Sequence, residues 1–302
     1  MNTDLLNKKY VYHYTGFDAL FSILESYRKR DKKSLLLRAS NIYKMNDPKE
    51  MEAGFYAVKH ILPRYEAENN IHEDIRLSEV YNNVKSENAC KEDYMKGRDN
   101  QFIDFGNIPY SISLSARGDY LPMWALYGQK GKGVCLEFDT FKLQDSVFDL
   151  GESYSLDKVV YRLKKGTRSL ESLIDFLYQL CLNDTNNNKP TIEDKIGDLA
   201  DLCILVSPYY KYQDYEYEQE VRLTYIKSFQ IKLKDNNPMH GLDSHKIEEH
   251  IEIPIPINCL KNIIIGPDAN YEVMKHILEL ELDNCGLNPN MIKQSKIAYK
   301  SK

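Results

Sequence analysis

Tyr110-Ser111-Ile112-Ser113-Leu114-Ser115 alternates strictly between apolar and hydroxyl side chains. Successive side chains of a strand point to opposite faces, so Ile112 and Leu114 belong to one side of a sheet and Ser111, Ser113 and Ser115 to the other. Further strands read at 10–14, 35–40, 158–163, 218–226, near 248–255, at 260–265 and at 291–299. The strand at 134–138 looks like the second half of a hairpin with the serine strand.

Helices fall between these strands without a regular beat. Thr15 reads as the cap of a helix with the stripe Phe17, Leu20, Phe21, Leu24 and Tyr27. Asp47-Pro48 starts another, with Met51, Phe55, Val58 and Leu62 on one face and Pro63 at its end. A short helix covers 122–127, two with matched apolar stripes cover 169–182 and 191–206, and one covers 271–284 before Gly286. Irregular alternation argues against a doubly wound parallel sheet and predicts an α+β fold, with a mostly antiparallel sheet, flanking helices and helical insertions. The expected organisation is one elaborated domain over 1–302, with a helical insertion at 64–104 and a helical hairpin at 169–206.

The 302 residues carry 40 Lys+Arg against 45 Asp+Glu, a net charge of -5, which argues against a generally basic nucleic-acid binder. No window approaches ~18 consecutive apolar residues, so no membrane partner is expected, and the N-terminus has no apolar signal core. The six Cys sit singly without zinc spacing, which reads as reduced thiols in a cytoplasm and no metal site.

Four groups of residues carry candidate chemistry. Tyr217-Glu218-Gln219-Glu220-Val221-Arg222 would put Glu218, Glu220 and Arg222 on one strand face. Its plain alternative is a solvated outer face with a cross-strand ion pair. His13-Tyr14-Thr15 joins an imidazole and a phenol to a helix start suited to an anion or a ribose hydroxyl. The serine face leaves room for a flat ligand, though Ser is also common on exposed antiparallel faces. Trp124 and Tyr127, three apart on a short helix, would stack on a ring or fill a core. P-loop, dinucleotide-fingerprint and nucleophile-elbow motifs do not occur.

In this order, Tyr12-His13-Tyr14-Thr15, Asn46-Asp47-Pro48, Ser111-Ile112-Ser113, Met123-Trp124 with Tyr127, Gly133–Phe138 and Tyr217–Leu223 resemble a bacterial domain-of-unknown-function family, numbered 2971. A more distant likeness is to ADP-ribosyltransferases. These carry a His or Arg on a first strand, a Ser-x-Ser strand and a later Glu-x-Glu strand, converging in a split antiparallel sheet around NAD. The resemblance implies that NAD is the substrate. It makes Glu220 catalytic with Glu218 as its partner and gives His13 the nicotinamide-side ribose. Ser111 and Ser113 would shape the pocket, and Tyr14, Trp124 or Tyr127 would stack the nicotinamide. Arg222, Arg38 or the Thr15 helix start would meet the diphosphate. The expected activity is transfer of ADP-ribose to a protein or nucleic-acid acceptor, as a toxin or antiphage defence effector. Two other classes stand beside it: a non-catalytic nucleotide-binding sensor module, and a metal-independent nuclease or phosphotransferase using His13 with Arg222 or Lys132.

Overall fold

The structure is a computed structural model that describes residues 8–42, 45, 50–83, 109–151, 153–161, 174–175, 178, 191–226 and 250–300. The expected cap at Asn46-Asp47-Pro48, the segment 84–104 and most of 169–182 lie outside these residues. Among those described, nine strands form one sheet: β1 (Tyr10–Thr15), β2 (Ser34–Asn41), β3 (Pro109–Ser115), β4 (Val134–Asp139), β5 (Tyr154–Lys158), β6 (Glu220–Ile226), β7 (His250–Pro256), β8 (Leu260–Ile265) and β9 (Ile292–Gln294). All pairings are antiparallel except β8 with β9. With its helices this is an α+β fold.

The main path runs β5-β6-β3-β1-β4-β8-β9, with β2 pairing β3 and β7 off it. The hairpin expected between β3 and β4 does not form, because β1 lies between them. Local alternation states that both are strands but not which distant strand each one meets.

One edge of β3 is divided between two partners. β2 pairs its first part at Ser40↔Ser111 and Asn41↔Tyr110, and β1 meets its last residue at Tyr12↔Ser115. Between these two contacts the sheet forks. β1 continues with β4 through Thr15↔Val134, and β2 continues with β7 back to Ser34↔Pro256.

The apolar face of the sheet builds the main core. Val11, Leu37, Ile112, Leu114, Phe138, Val221, Leu223 and Ile253 meet there. Three helices cover it: α1 (Phe17–Lys29) through Leu20 and Leu24, α4 (Thr140–Leu150) through Leu143 and Val147, and α6 (Tyr271–Cys285) through Leu278 and Leu282. Helix α1 is capped by Gly16 rather than Thr15, because Thr15 is still paired in β1. The sequence reading omits α4, although Asp139 accepts from the Lys142 amide as its N-cap and Gly151 ends it at φ 107. The middle strand is β5, four residues earlier than expected, and the terminal strand shrinks to β9.

A second, helical core lies beside the sheet. It joins α2 (Glu50–Glu68) to α5 (Ile192–Val206) through Phe55, Val58, Leu62, Leu199, Cys203 and Val206. Pro63 does not end α2. It lies on the exposed side and removes only the amide that would bond the Lys59 carbonyl, itself at an exposed residue, while Tyr65 and Glu66 remain buried in the next turn. The helix seats its backbone on the Ser207–Tyr209 turn: a Cβ on Gly54 would stand 2.5 Å from Ser207 Cα. Gly54→Ala is therefore expected to lose about 1–3 kcal/mol in urea unfolding, because neither backbone can withdraw.

Candidate functional site

The fork opens into a cavity of about 320 Å³ on the polar face of the sheet. Tyr12, His13 and Tyr14 line it from β1, Arg38 and Ser40 from β2, and Ser111, Ser113 and Leu114 from β3. Beyond β3 it is closed by Lys211, Tyr215, Glu218 and Glu220, with Met123 of the short helix α3 (Leu121–Leu126) and Tyr127 at its end on one side. His13, Ser111, Ser113, Glu218, Glu220, Tyr14 and Tyr127 thus share one cavity, although their positions in the chain span more than two hundred residues.

His13 explains how the fork is tolerated. Its Nδ1–H donates to the Ser113 carbonyl at 3.0 Å, across the gap where β1 and β3 have stopped pairing. A carbonyl that would be orphaned by the split is satisfied by a side chain instead. Burial lowers the His13 pKa, against the opposing pull of that carbonyl, so the ring is neutral at pH 7 and its Nε2 is an acceptor.

The carboxylates are not on a solvated outer surface. Glu218 is 2%, Glu220 4% and Arg222 0% exposed. Glu220 and Arg222 occupy the polar face of β6, as alternation requires. Glu218 does not belong to the strand: it ends the 3-10 turn Gln213–Glu218, and Gln219 enters β6 through a left-handed conformation, φ 43 and ψ 51. The kink is held by the Gln219 carbonyl, which accepts from the Ala116 amide at 2.8 Å, and by the Glu218 carbonyl, which accepts from the Ser115 hydroxyl at 2.7 Å. A left-handed Gln costs on the order of 1 kcal/mol that Gly does not pay. Gln219→Gly is expected to keep or slightly raise stability, and Gln219→Val to lose about 1–3 kcal/mol, read from thermal or urea unfolding.

The two carboxylates have different partners. Arg222 grips Glu220 bidentately, Nε to Oε1 at 2.8 Å and Nη2 to Oε2 at 3.0 Å, and donates Nη1 to the Pro208 carbonyl at 3.0 Å. Lys211 bridges both acids, 2.8 Å to Glu218 Oε2 and 3.3 Å to Glu220 Oε2. Burial pushes the Glu220 carboxyl up, but Arg222, Lys211 and a hydrogen bond with Ser113 outweigh it and hold the pKa at about 2. Glu218 Oε1 accepts from the Tyr127 hydroxyl at 2.6 Å. Burial, and then this contact with an anion, push the Tyr127 hydroxyl pKa up, so Tyr127 is the donor.

Several expected ligand contacts lie elsewhere. Trp124 is fully buried, edge-on to Tyr14 at 5.0 Å with Nε1 on Asp119, so it supports the cavity wall and cannot stack a ligand in it. Thr15 pairs with Val134 and lies outside the cavity lining. The Gln129 side chain lies against Gly16, 2.3 Å from where a Cβ would be, so the start of α1 is covered rather than presented to an anion. Arg222 is spent on Glu220 behind the cavity. Lys132 pairs with Asp268 at 4.0 Å outside the lining, so neither of the cations expected to serve a nuclease stands in the cavity with His13.

Residues 123–223 match a family model described as a protein of unknown function (DUF2971). The match includes Tyr127, Lys211, Glu218, Glu220 and Arg222 and stops short of His13, Arg38 and Ser113. Neither the comparison with curated proteins nor that with solved structures found a match. Among the described residues, no helix is long and apolar enough to cross a membrane.

Sequence reading missed Lys211 altogether. The one available signal is a Lys inside the tyrosine-rich run Tyr209–Tyr217, where a cation needs a buried acid to be accommodated. It lies 7% exposed, with Nζ 4.6 Å from the Tyr215 ring centroid.

Proposed function

We propose that this chain is an ADP-ribosyltransferase that uses NAD as its substrate. The observation that carries the reading is the convergence of an imidazole, serine hydroxyls and a pair of carboxylates in one cavity at the fork of an antiparallel sheet. A cavity near 320 Å³ is at the small end of ligand sites, which span ~300–1000 Å³, and suits one ring with its sugar while the rest of a dinucleotide extends outward.

In the proposed reaction the bond between C1′ of the ribose and the pyridinium nitrogen breaks. Its electron pair leaves with neutral nicotinamide, and positive charge develops at C1′. A fixed carboxylate beside that centre stabilises it. The acceptor's nucleophile bonds to C1′, and its proton passes to a carboxylate or to water. His13 Nε2 is an acceptor for a ribose hydroxyl, and Tyr127 or Tyr14 supplies an aromatic surface to the leaving ring.

The geometry favours Glu218 over Glu220 as the carboxylate that meets the substrate. Both Glu220 oxygens are claimed by a fully buried guanidinium that does not line the cavity. Glu218 Oε1 is instead held by the Tyr127 hydroxyl at 2.6 Å, on a residue 39% exposed, with a longer 3.4 Å contact from the Tyr217 hydroxyl at the same rim. An acid whose partner is displaceable can exchange it for a substrate hydroxyl.

The test is incubation of the purified chain with NAD and a mixture of cellular protein and nucleic acid, scoring nicotinamide release and label transfer from the adenine side. Intact NAD across the full acceptor set would remove the transferase reading. One observation favours a second reading. The two acids are matched by two cations, which suits a sensor module that binds a nucleotide without turnover. That reading expects calorimetric binding of NAD with no nicotinamide produced.

A further inference from the structure

The charges around the cavity do not cancel. Glu218 and Glu220 are offset by Lys211 and Arg222, and neutral His13 adds nothing. Arg38 is left over. It lines the cavity from β2, two residues before the Ser40↔Ser111 contact, on the arm of the fork opposite His13 and Tyr14. Among the described residues it makes no ion pair or side-chain hydrogen bond, although Glu252 stands opposite it in the β2–β7 register. Its side chain is exposed, so it costs little to keep unpaired and is open to an incoming anion.

We infer that Arg38 selects for a phosphate-bearing ligand by pairing with the diphosphate of a dinucleotide whose ribose lies toward Glu218. The inference rests on the nucleotide reading of this cavity. A guanidinium presents parallel N–H groups that match two phosphate oxygens, which a point charge does not. A ligand spanning the fork would then be held at two ends: the anion on the β2 arm, and the sugar between His13 and the carboxylates.

The experiment is calorimetry with two probes, ADP-ribose, which carries the diphosphate and has no nicotinamide bond to cleave, and nicotinamide riboside, which has no phosphate. Arg38→Gln is expected to weaken ADP-ribose binding by about tenfold to a hundredfold, with Arg38→Lys between it and the unsubstituted protein. Added salt is expected to weaken the unsubstituted protein more than Arg38→Gln, because the contact is exposed. Riboside binding is expected to be the same in both proteins, whether measurable or not. The inference is overturned if Arg38→Gln binds ADP-ribose as tightly as the unsubstituted protein, if it alone loses the riboside, or if the unsubstituted protein does not bind ADP-ribose. A protein that binds ADP-ribose through Arg38 yet leaves NAD intact overturns the transferase reading and leaves this inference standing.

Discussion

Arg222→Met is expected to cost about 3–5 kcal/mol of folding stability, the usual penalty for stripping one partner from a buried ion pair. That is a large share of the ~5–15 kcal/mol that holds a typical domain together. Glu220 would keep its negative charge 4% exposed, with only the 3.3 Å contact to Lys211 and the Ser113 hydrogen bond remaining. The loss should shrink when the acid goes as well. Glu220→Gln with Arg222→Met removes the uncompensated charge, and the pair is expected to recover a substantial part of the deficit.

Acidity separates this account from simple loss of packing. Glu220 titrates at about 2 in the folded chain against an ordinary 4.5. A carboxyl depressed on folding stabilises the protein above its unfolded pKa, and that contribution is lost as pH falls through the folded one. In the Arg222→Met protein the depression is weakened, so the stability gap between it and the unsubstituted protein should narrow between about pH 4.5 and 2. Urea midpoints across that range measure it. A gap that holds constant down to pH 2 would mean that Arg222 acts by volume and not by charge.

Much of the fold was legible because the strands carry an apolar/polar alternation that needs no tertiary information. The three acids and bases of the Glu218–Arg222 segment, the serine face and His13 were all visible as residue types on named strands. What alternation does not encode is which strands meet. Tyr12↔Ser115 joins residues about a hundred positions apart, and the fork that makes the cavity exists only because β3 is shared between β1 and β2. The same limit explains Glu218. A period of two assigns it to the strand with Glu220, whereas the local bond from the Gln219 amide to the Glu216 carbonyl and the long-range hold of Ala116 and Ser115 keep Gln219 left-handed and Glu218 off the strand. Trp124 shows the opposite failure. Its spacing with Tyr127 is helical in either case, and whether an indole fills a core or faces a ligand depends on Tyr14 and Asp119, which local pattern does not supply.

The division of labour between the two acids leads to the sharpest contrast in activity. Glu218→Gln is expected to lower nicotinamide release by roughly a hundredfold to a thousandfold, the range seen when one preorganised group facing developing charge is removed. Its effect on stability should be smaller than that of Glu220→Gln, because the amide oxygen still accepts from Tyr127 and Lys211 keeps Glu220. Glu220→Gln should do the reverse: it leaves the buried Arg222 without its anion and shows first in urea unfolding. Tyr127→Phe supplies the control for access. Tyr127 makes the closer of two phenol contacts to Glu218 Oε1, 2.6 Å against 3.4 Å from Tyr217, so deleting its hydroxyl opens that acceptor to the ribose. The apparent KM for NAD should fall or hold in Tyr127→Phe, while kcat stays within a few-fold. Full activity in Glu218→Gln, with collapse in a still-folded Glu220→Gln, would return the chemistry to the strand acid and make Glu218 the structural one.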